Sequence, residues 1–346
     1  MKLKKFIALA TATVMALTMV ACGDQTKTEG NNPDKILLGT MGPLTGGNAI
    51  YGITTSNGIK LAVEQKQTVL DKPVELLSLD DKADQTEAVN AYNKFVNNDG
   101  VVGIVGATTS GAALSVAITS AKYGTPILTP TGTVPEITTS GDNVFRACYT
   151  DPFQGEIKSF VAKFEELGGE VVAIEGYKEA DNDFKAQLTK IASTGTEALF
   201  IPDYYTKAYL IASQAKDSGL KDIALLGGDG WDGMHTIAED TSVLENAYFC
   251  SHFSLEDPNP VVQDFVTAYK AKYNENPTAF SALGYDGANI MMNAIETAGS
   301  TDPKAIVEAL KNTQYEGVTG NITFDENGDP IKGVSIIKIE DGQYKL

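Results

Sequence analysis

With 346 residues, 42% of them hydrophobic and 21% charged, the chain is long enough for two domains and apolar enough to bury cores, which argues against a disordered protein. Lys and Arg number 27 against 45 Asp and Glu, a formal charge of −18. Such a chain lacks the basic patch that neutralises phosphates, so nucleic acid is not an expected partner and the charge reads as solubility.

In chain order, Lys2, Lys4 and Lys5 precede an apolar run from Phe6 to Val20 that stops at Ala21-Cys22-Gly23. A positive start, a short apolar run and small residues at the cut predict a secretory signal over residues 1–22. The run is short for a membrane span. Met19-Val20-Ala21-Cys22 resembles a bacterial lipobox, although leucine is commoner at the position of Met19. That resemblance implies a diacylglycerol on Cys22. The alternative is an ordinary signal with an incidental cysteine. Residues 23–34 are polar and read as a flexible tether.

Strand and helix patterns then alternate. Ile36 to Gly39, Val74 to Leu79, Val101 to Val105 and Pro126 to Leu128 read as strands. Helices are expected around Asn57 to Glu64, Thr86 to Asn97 and Gly111 to Lys122, the last ending at Gly124. The second half repeats the scheme. A helix about Gly155 to Leu167 is followed by a strand at Val171 to Ile174 and a helix at Asp183 to Ile191. A strand at Ala198 to Ile201, a helix at Lys207 to Lys216 and a strand at Ile223 to Leu226 complete it. This order predicts an α/β protein of two Rossmann-like lobes with parallel sheets. Before the Val74 strand stands a full strand-loop-helix unit; before the Val171 strand stands one helix. The second lobe is therefore expected to lack one βα unit.

Catalytic signatures are scarce. His235 and His252 are the only histidines and neither sits in a metalloprotease or nucleophile pattern. Gly228-Asp229-Gly230-Trp231-Asp232-Gly233 matches a dinucleotide-binding glycine pattern, but it follows the last strand of its lobe rather than the first. Those glycines are read as shaping a turn. Neither a metal nor a cofactor is expected, and no enzymatic activity. Cys148 and Cys250 fit no zinc spacing; a disulfide and two free thiols are both open, with free thiols favoured.

Ligands of open parallel sheets bind beyond the carboxyl ends of strands. Those ends carry Gly42 to Gly46 with Tyr51, Thr108 to Ser110, Thr129 to Thr133, Asp203 to Tyr205, and Asp229 to Trp231. Ser110 opens a helix whose N-terminus favours an anion, and Asp229 offers a carboxylate to an ammonium group. A cleft with these two walls suits a zwitterion. Helix capping is an equally good use for Ser110 and Thr133.

At these residues the chain resembles the leucine/isoleucine/valine-binding family, the type I periplasmic binding proteins of branched-chain amino acid ABC importers. The stretches that carry the resemblance are ILLGTMGPLTGGNAIYG, GIKLAVE, DDKADQTEAVNAYNK, GIVGATTSGAA, TPILTPTGTVPEIT, FRACYTDPFQG, ALFIPDYY, LLGGDGWDG and NITFDENGD. The resemblance implies that Ser110 and the Thr133 amide hold a ligand carboxylate. It implies that the Thr131 carbonyl, the Thr133 hydroxyl and Asp229 hold its ammonium. Asp229 stands where the family often has glutamate. Tyr51 and Tyr204 would line the side-chain pocket. Trp231 would lie near the cleft, touching the ligand or filling a core or rim position.

The family also carries a strand, a Ser-Asp-Tyr loop and a helix between the counterparts of DPFQG and LGGEVVA, and this chain has one helix there. The resemblance implies a three-strand hinge near Thr150-Asp151, Ser251 to Phe253 and Lys332 to Lys338. The first lobe would be 34–150 plus 254–331 and the second 151–253 plus 332–346. The expected protein is a monomeric, extracytoplasmic, lipid-anchored amino-acid binder that serves an ABC permease. A binding-impaired remnant or a sensor of the same fold is the alternative, and an enzyme the weakest one.

Overall fold

The computed structural model describes residues 34–154, 157–220 and 222–346. The expected signal segment, Cys22 and the tether up to residue 33 lie outside the described residues.

The first lobe opens with β1 (Ile36–Gly42), α1 (Ala49–Lys66), β2 (Thr68–Val69) and β3 (Lys72–Asp80). It continues with α2 (Gln85–Lys94), β4 (Gly103–Gly106), α3 (Ser110–Ser120), β5 (Ile127–Thr129), α4 (Glu136–Thr139) and β6 (Val144–Arg146). The sheet order is β2-β3-β1-β4-β5-β6. β3, β1, β4, β5 and β6 run parallel. Every residue of β1 is buried, as a central strand covered on both faces must be. Ile36 and Leu38 pack to one side with Ile59, Met291 and Ile306. Leu37 and Met41 pack to the other with Ala88, Tyr92 and Val116.

The sequence patterns caught only the second half of α1. Its length comes from packing against α11 (Ala279–Ala298) in the helix-rich later part of the chain. A Cβ at Gly58 would lie 1.9 Å from the Ser281 carbonyl oxygen, and one at Gly284 would lie 2.4 Å from that of Thr55. Glycine at both positions lets the two backbones touch.

The second lobe holds α5 (Asp151–Gln154), α6 (Ile157–Glu166), α7 (Lys185–Ala192), β7 (Ala198–Phe200) and α8 (Tyr205–Asp217). β8 (Ala224–Gly227), the short α9 (Met234–Ile237) and β9 (Ala247–Ser251) follow. The chain then returns to the first lobe for α10 (Pro260–Tyr273), α11, α12 (Pro303–Lys311) and a small antiparallel sheet of β10 (Tyr315–Gly317), β11 (Gly320–Phe324) and β12 (Pro330–Ile331). It crosses once more to add β13 (Ser335–Glu340) and β14 (Gln343–Lys345) to a sheet of order β14-β13-β9-β8-β7. β13 pairs antiparallel with β9, from Ser335 opposite Ser251 to Ile339 opposite Ala247.

One expected strand does not form. Val171 to Ile174 belongs to no sheet, although burial alternates from Gly169 to Gly176 as it would along a strand. The first sheet supplies the reason. There the lobe's first strand is central, with the second (β3) and third (β4) on its flanks. Applied to the second lobe, that order makes the absent unit the central strand, with Val171–Ile174 on one side and β7 on the other. Without the centre the two flanks have nothing to share, and β7 is left as the edge. An open cavity of about 740 Å³ lies between them, lined by Phe160, Val171, Ala173, Phe184, Leu199 and Phe200 among others. Leu167, Val172 and Ile174 are exposed beside it.

Candidate functional site

The predicted residues sit on the loops and helix starts that follow β1, β4, β5, β7 and β8, and several converge. Ser110 is the first residue of α3, but its hydroxyl does not cap that helix. It accepts from the Thr133 backbone N–H at 3.1 Å and lies 3.2 Å from the Thr133 hydroxyl. Thr131 donates its hydroxyl to the Thr108 carbonyl at 2.6 Å. The loops after β4 and β5 are thereby locked into one wall.

Arg146, the only arginine, braces that wall from behind. It is fully buried. Its Nε donates to Asp329 at 2.6 Å, and its Nη atoms donate to the carbonyls of Gly132 and Val134, each at 2.9 Å. The planar guanidinium suits this fan of acceptors in a way a lysine ammonium would not. Nothing in the chain's pattern marks this role beyond the residue's singularity.

The opposite wall comes from the second lobe. Asp229 opens a single 3-10 turn, Asp229–Trp231, directly after β8. Tyr204 precedes α8, and the Ser110 amide of the first lobe faces its hydroxyl. Tyr51, on α1, crosses between the lobes. Its hydroxyl donates to the Gly230 carbonyl and accepts from the Tyr205 N–H at 3.1 Å. Its ring stacks on Phe280 at 4.4 Å and meets Tyr204 edge-on at 5.3 Å. Tyr205 in turn donates its hydroxyl to the Gly47 carbonyl at 2.7 Å. Sequence reasoning missed Tyr205 and Phe280.

Of the alternatives left open for Trp231, the structure takes the core position and not contact with the cleft. The side chain has no exposed surface and donates Nε1–H to the Ile201 carbonyl at 3.0 Å. Its ring lies on Gly227, where a Cβ would come within 2.1 Å of it. The turn that presents Asp229 to the cleft directs Trp231 beneath the sheet, so it is a core side chain and not a cleft wall.

Asp232 was also missed. Its carboxylate accepts from the Ala279 N–H at 2.5 Å, so a second-lobe acid sits at the N-terminus of first-lobe α11. Burial pushes its pKa up to about 7, against the lowering effect of the backbone donors. Cys148 and Cys250 form no disulfide. Burial raises Cys148 and Cys250 to about 12 and about 11. Among the described residues no cluster of His, Cys, Asp and Glu could hold a metal, and no helix is long and apolar enough to cross a membrane. The arrangement offers an anion-binding wall of hydroxyls and helix N-terminal amides facing a carboxylate and tyrosines.

The chain matches the periplasmic binding protein family over residues 35–156 and 152–343. The two matched stretches overlap at 152–156. It is 31% identical over 331 residues to a leucine-, isoleucine-, valine-, threonine- and alanine-binding protein of Pseudomonas aeruginosa, covering 86% of this chain and 87% of that one. A leucine-binding protein from Thermotoga maritima has 33% identity and a TM-score of 0.83, over 90% of this chain and 97% of its own. A branched-chain amino acid transporter substrate-binding protein from Streptococcus pneumoniae, solved with isoleucine, has 29% identity and a TM-score of 0.84, over 90% and 98%.

Proposed function

Because the chain belongs to the periplasmic binding protein family, which works outside the cytoplasm and is not a family of enzymes, we propose that it captures a branched-chain amino acid for an ABC importer. The observation that carries this reading is the pairing of walls. Ser110 at the start of α3 and Thr133 on the loop after β5 suit a carboxylate, and Asp229 across the cleft suits an ammonium. In this reading the Ser110 hydroxyl and amide and the Thr133 amide hold the carboxylate. The Thr131 carbonyl, the Thr133 hydroxyl and Asp229 hold the ammonium, and Tyr51 and Tyr204 flank the side chain.

The ligand binds one lobe and bridges to the other, so it favours the closed form that a permease reads. The lobes divide as 34–150 with 254–331 and 151–253 with 332–346. The protein works as a monomer tethered through a lipid on Cys22 and residues 23–34, and its other partner is the membrane permease. The Met19–Cys22 motif supports the anchor.

A binding-impaired form of the same fold is the second reading. The cavity at the place of the missing strand supports it, because the lost unit includes the loop that would close that side of the cleft. Calorimetric titration with leucine, isoleucine and valine separates the two. Saturable binding that Asp229→Ala abolishes supports capture, and no heat with any amino acid supports impairment.

A further inference from the structure

His252 has no part in the reading above, yet the structure puts it against that reading's key carboxylate. It follows β9 on the second crossover between lobes and is buried. Its Nε2 lies 3.5 Å from Asp229 Oδ2. Its ring lies flat on Tyr149 of the first crossover, with centroids 3.7 Å apart and planes 22° from parallel. Both ring nitrogens are buried without a hydrogen-bond partner, and so is the Tyr149 hydroxyl. Burying a polar atom unpaired costs free energy, so three such atoms around one carboxylate call for a use.

Asp229 and Tyr149 lie against the ring and Lys332 acts on it, while Asp229, Cys250, Cys148 and Asp232 act on the stacked Tyr149. Burial, aided by Lys332, holds the imidazole well below its usual pKa, so it is neutral. A neutral imidazole has one donor nitrogen and one acceptor. If Nε2 carries the proton, closing by a few tenths of an ångström makes a hydrogen bond to Asp229.

We propose that His252 is a positioning residue for the binding site: its Nε2–H fixes the Asp229 carboxylate in the place from which that reading has it meet the ligand's ammonium. The stack on Tyr149 then ties the position of that carboxylate to two of the three strands on which the lobes hinge. The ligand part of this inference rests on the amino-acid reading. The His252–Asp229 contact does not, and it can be tested in ligand-free protein.

The chain has two histidines, so long-range proton–nitrogen NMR of the intact protein resolves His252 once His235→Gln has assigned the pair. The expected result is a neutral Nε2–H tautomer from pH 5.5 to 8, with nitrogen shifts that move in Asp229→Asn while those of His235 stay. An Nδ1–H tautomer, or shifts indifferent to Asp229→Asn, would overturn the proposal. Calorimetry with L-leucine adds the ligand side. His252→Phe keeps the ring and the stack but should bind about tenfold more weakly, while His252→Gln keeps an N–H donor and should bind within about threefold of the parent. Unchanged affinity in His252→Phe would overturn the positioning role. If the parent binds no amino acid, the functional reading fails, and the tautomer and its response to Asp229→Asn still decide the His252 contact.

Discussion

Tyr51 and Tyr205 meet across the cleft, the Tyr205 backbone N–H donating to the Tyr51 hydroxyl at 3.1 Å. The same hydroxyl donates to the Gly230 carbonyl, one residue from Asp229. Tyr51→Phe keeps the ring stack on Phe280 but leaves a buried N–H and a carbonyl without partners, each costing about 1–3 kcal/mol. Those bonds run between lobes, so the loss falls on the closed form, and the variant should bind its amino acid at least about thirtyfold more weakly with little change in thermal stability, as read by calorimetry and circular dichroism. Unaltered affinity would mean that this contact does not contribute to closure.

Arg146 acts behind the opposite wall. Arg146→Met removes the donors that hold the Gly132 and Val134 carbonyls and leaves Asp329 without its partner. Breaking a buried pair on one side is the costly way to remove it, so unfolding in urea should show a loss of about 3 kcal/mol. Arg146→Lys should recover only part of this, because an ammonium cannot reproduce the fan of planar donors.

Asp232 gives a pH signature. Its folded pKa of about 7 lies above the ordinary aspartate value, so the folded protein takes up its proton more readily than the unfolded chain does. Its contribution to stability is therefore fully present below about pH 4 and is lost as pH rises through about 7. Asp232→Asn removes that titration. The difference in melting temperature between variant and parent should be near zero at pH 4 and grow in the variant's favour towards pH 8. A constant difference across this range would contradict the burial of an ionisable group there.

The alternation of strands and helices, the parallel sheets and the cleft loops were legible because each rests on local pattern and on the rule that ligands sit at strand carboxyl ends. Two outcomes had non-local causes. Val171 to Ile174 has a strand's sequence, but a strand needs a neighbour, and among the described residues none pairs with it. Trp231 is two residues from Asp229 along the chain, but a single 3-10 turn sends its ring under Gly227. His252, Arg146 and Asp232 were hidden for the same kind of reason. Their partners, Asp229, Asp329 and the start of α11, are far away in sequence.

The incomplete sheet also makes a surface prediction. Leu167 and Ile174 are 75% and 65% exposed beside the open edge of β7. Large exposed apolar groups next to an unpaired strand promote self-association. Leu167→Lys with Ile174→Lys should change unfolding free energy by less than about 1 kcal/mol, since little buried surface is lost. The double variant should also stay monodisperse at concentrations where the parent aggregates, as followed by light scattering.

The amino-acid reading is tested most directly by calorimetric titration of the protein with L-leucine, L-isoleucine and L-valine, beside Asp229→Ala. One-to-one binding of at least one of the three, lost in Asp229→Ala while the melting temperature holds, is the predicted result. No heat with any of them in a folded parent protein, or binding that survives Asp229→Ala unchanged, would contradict the account.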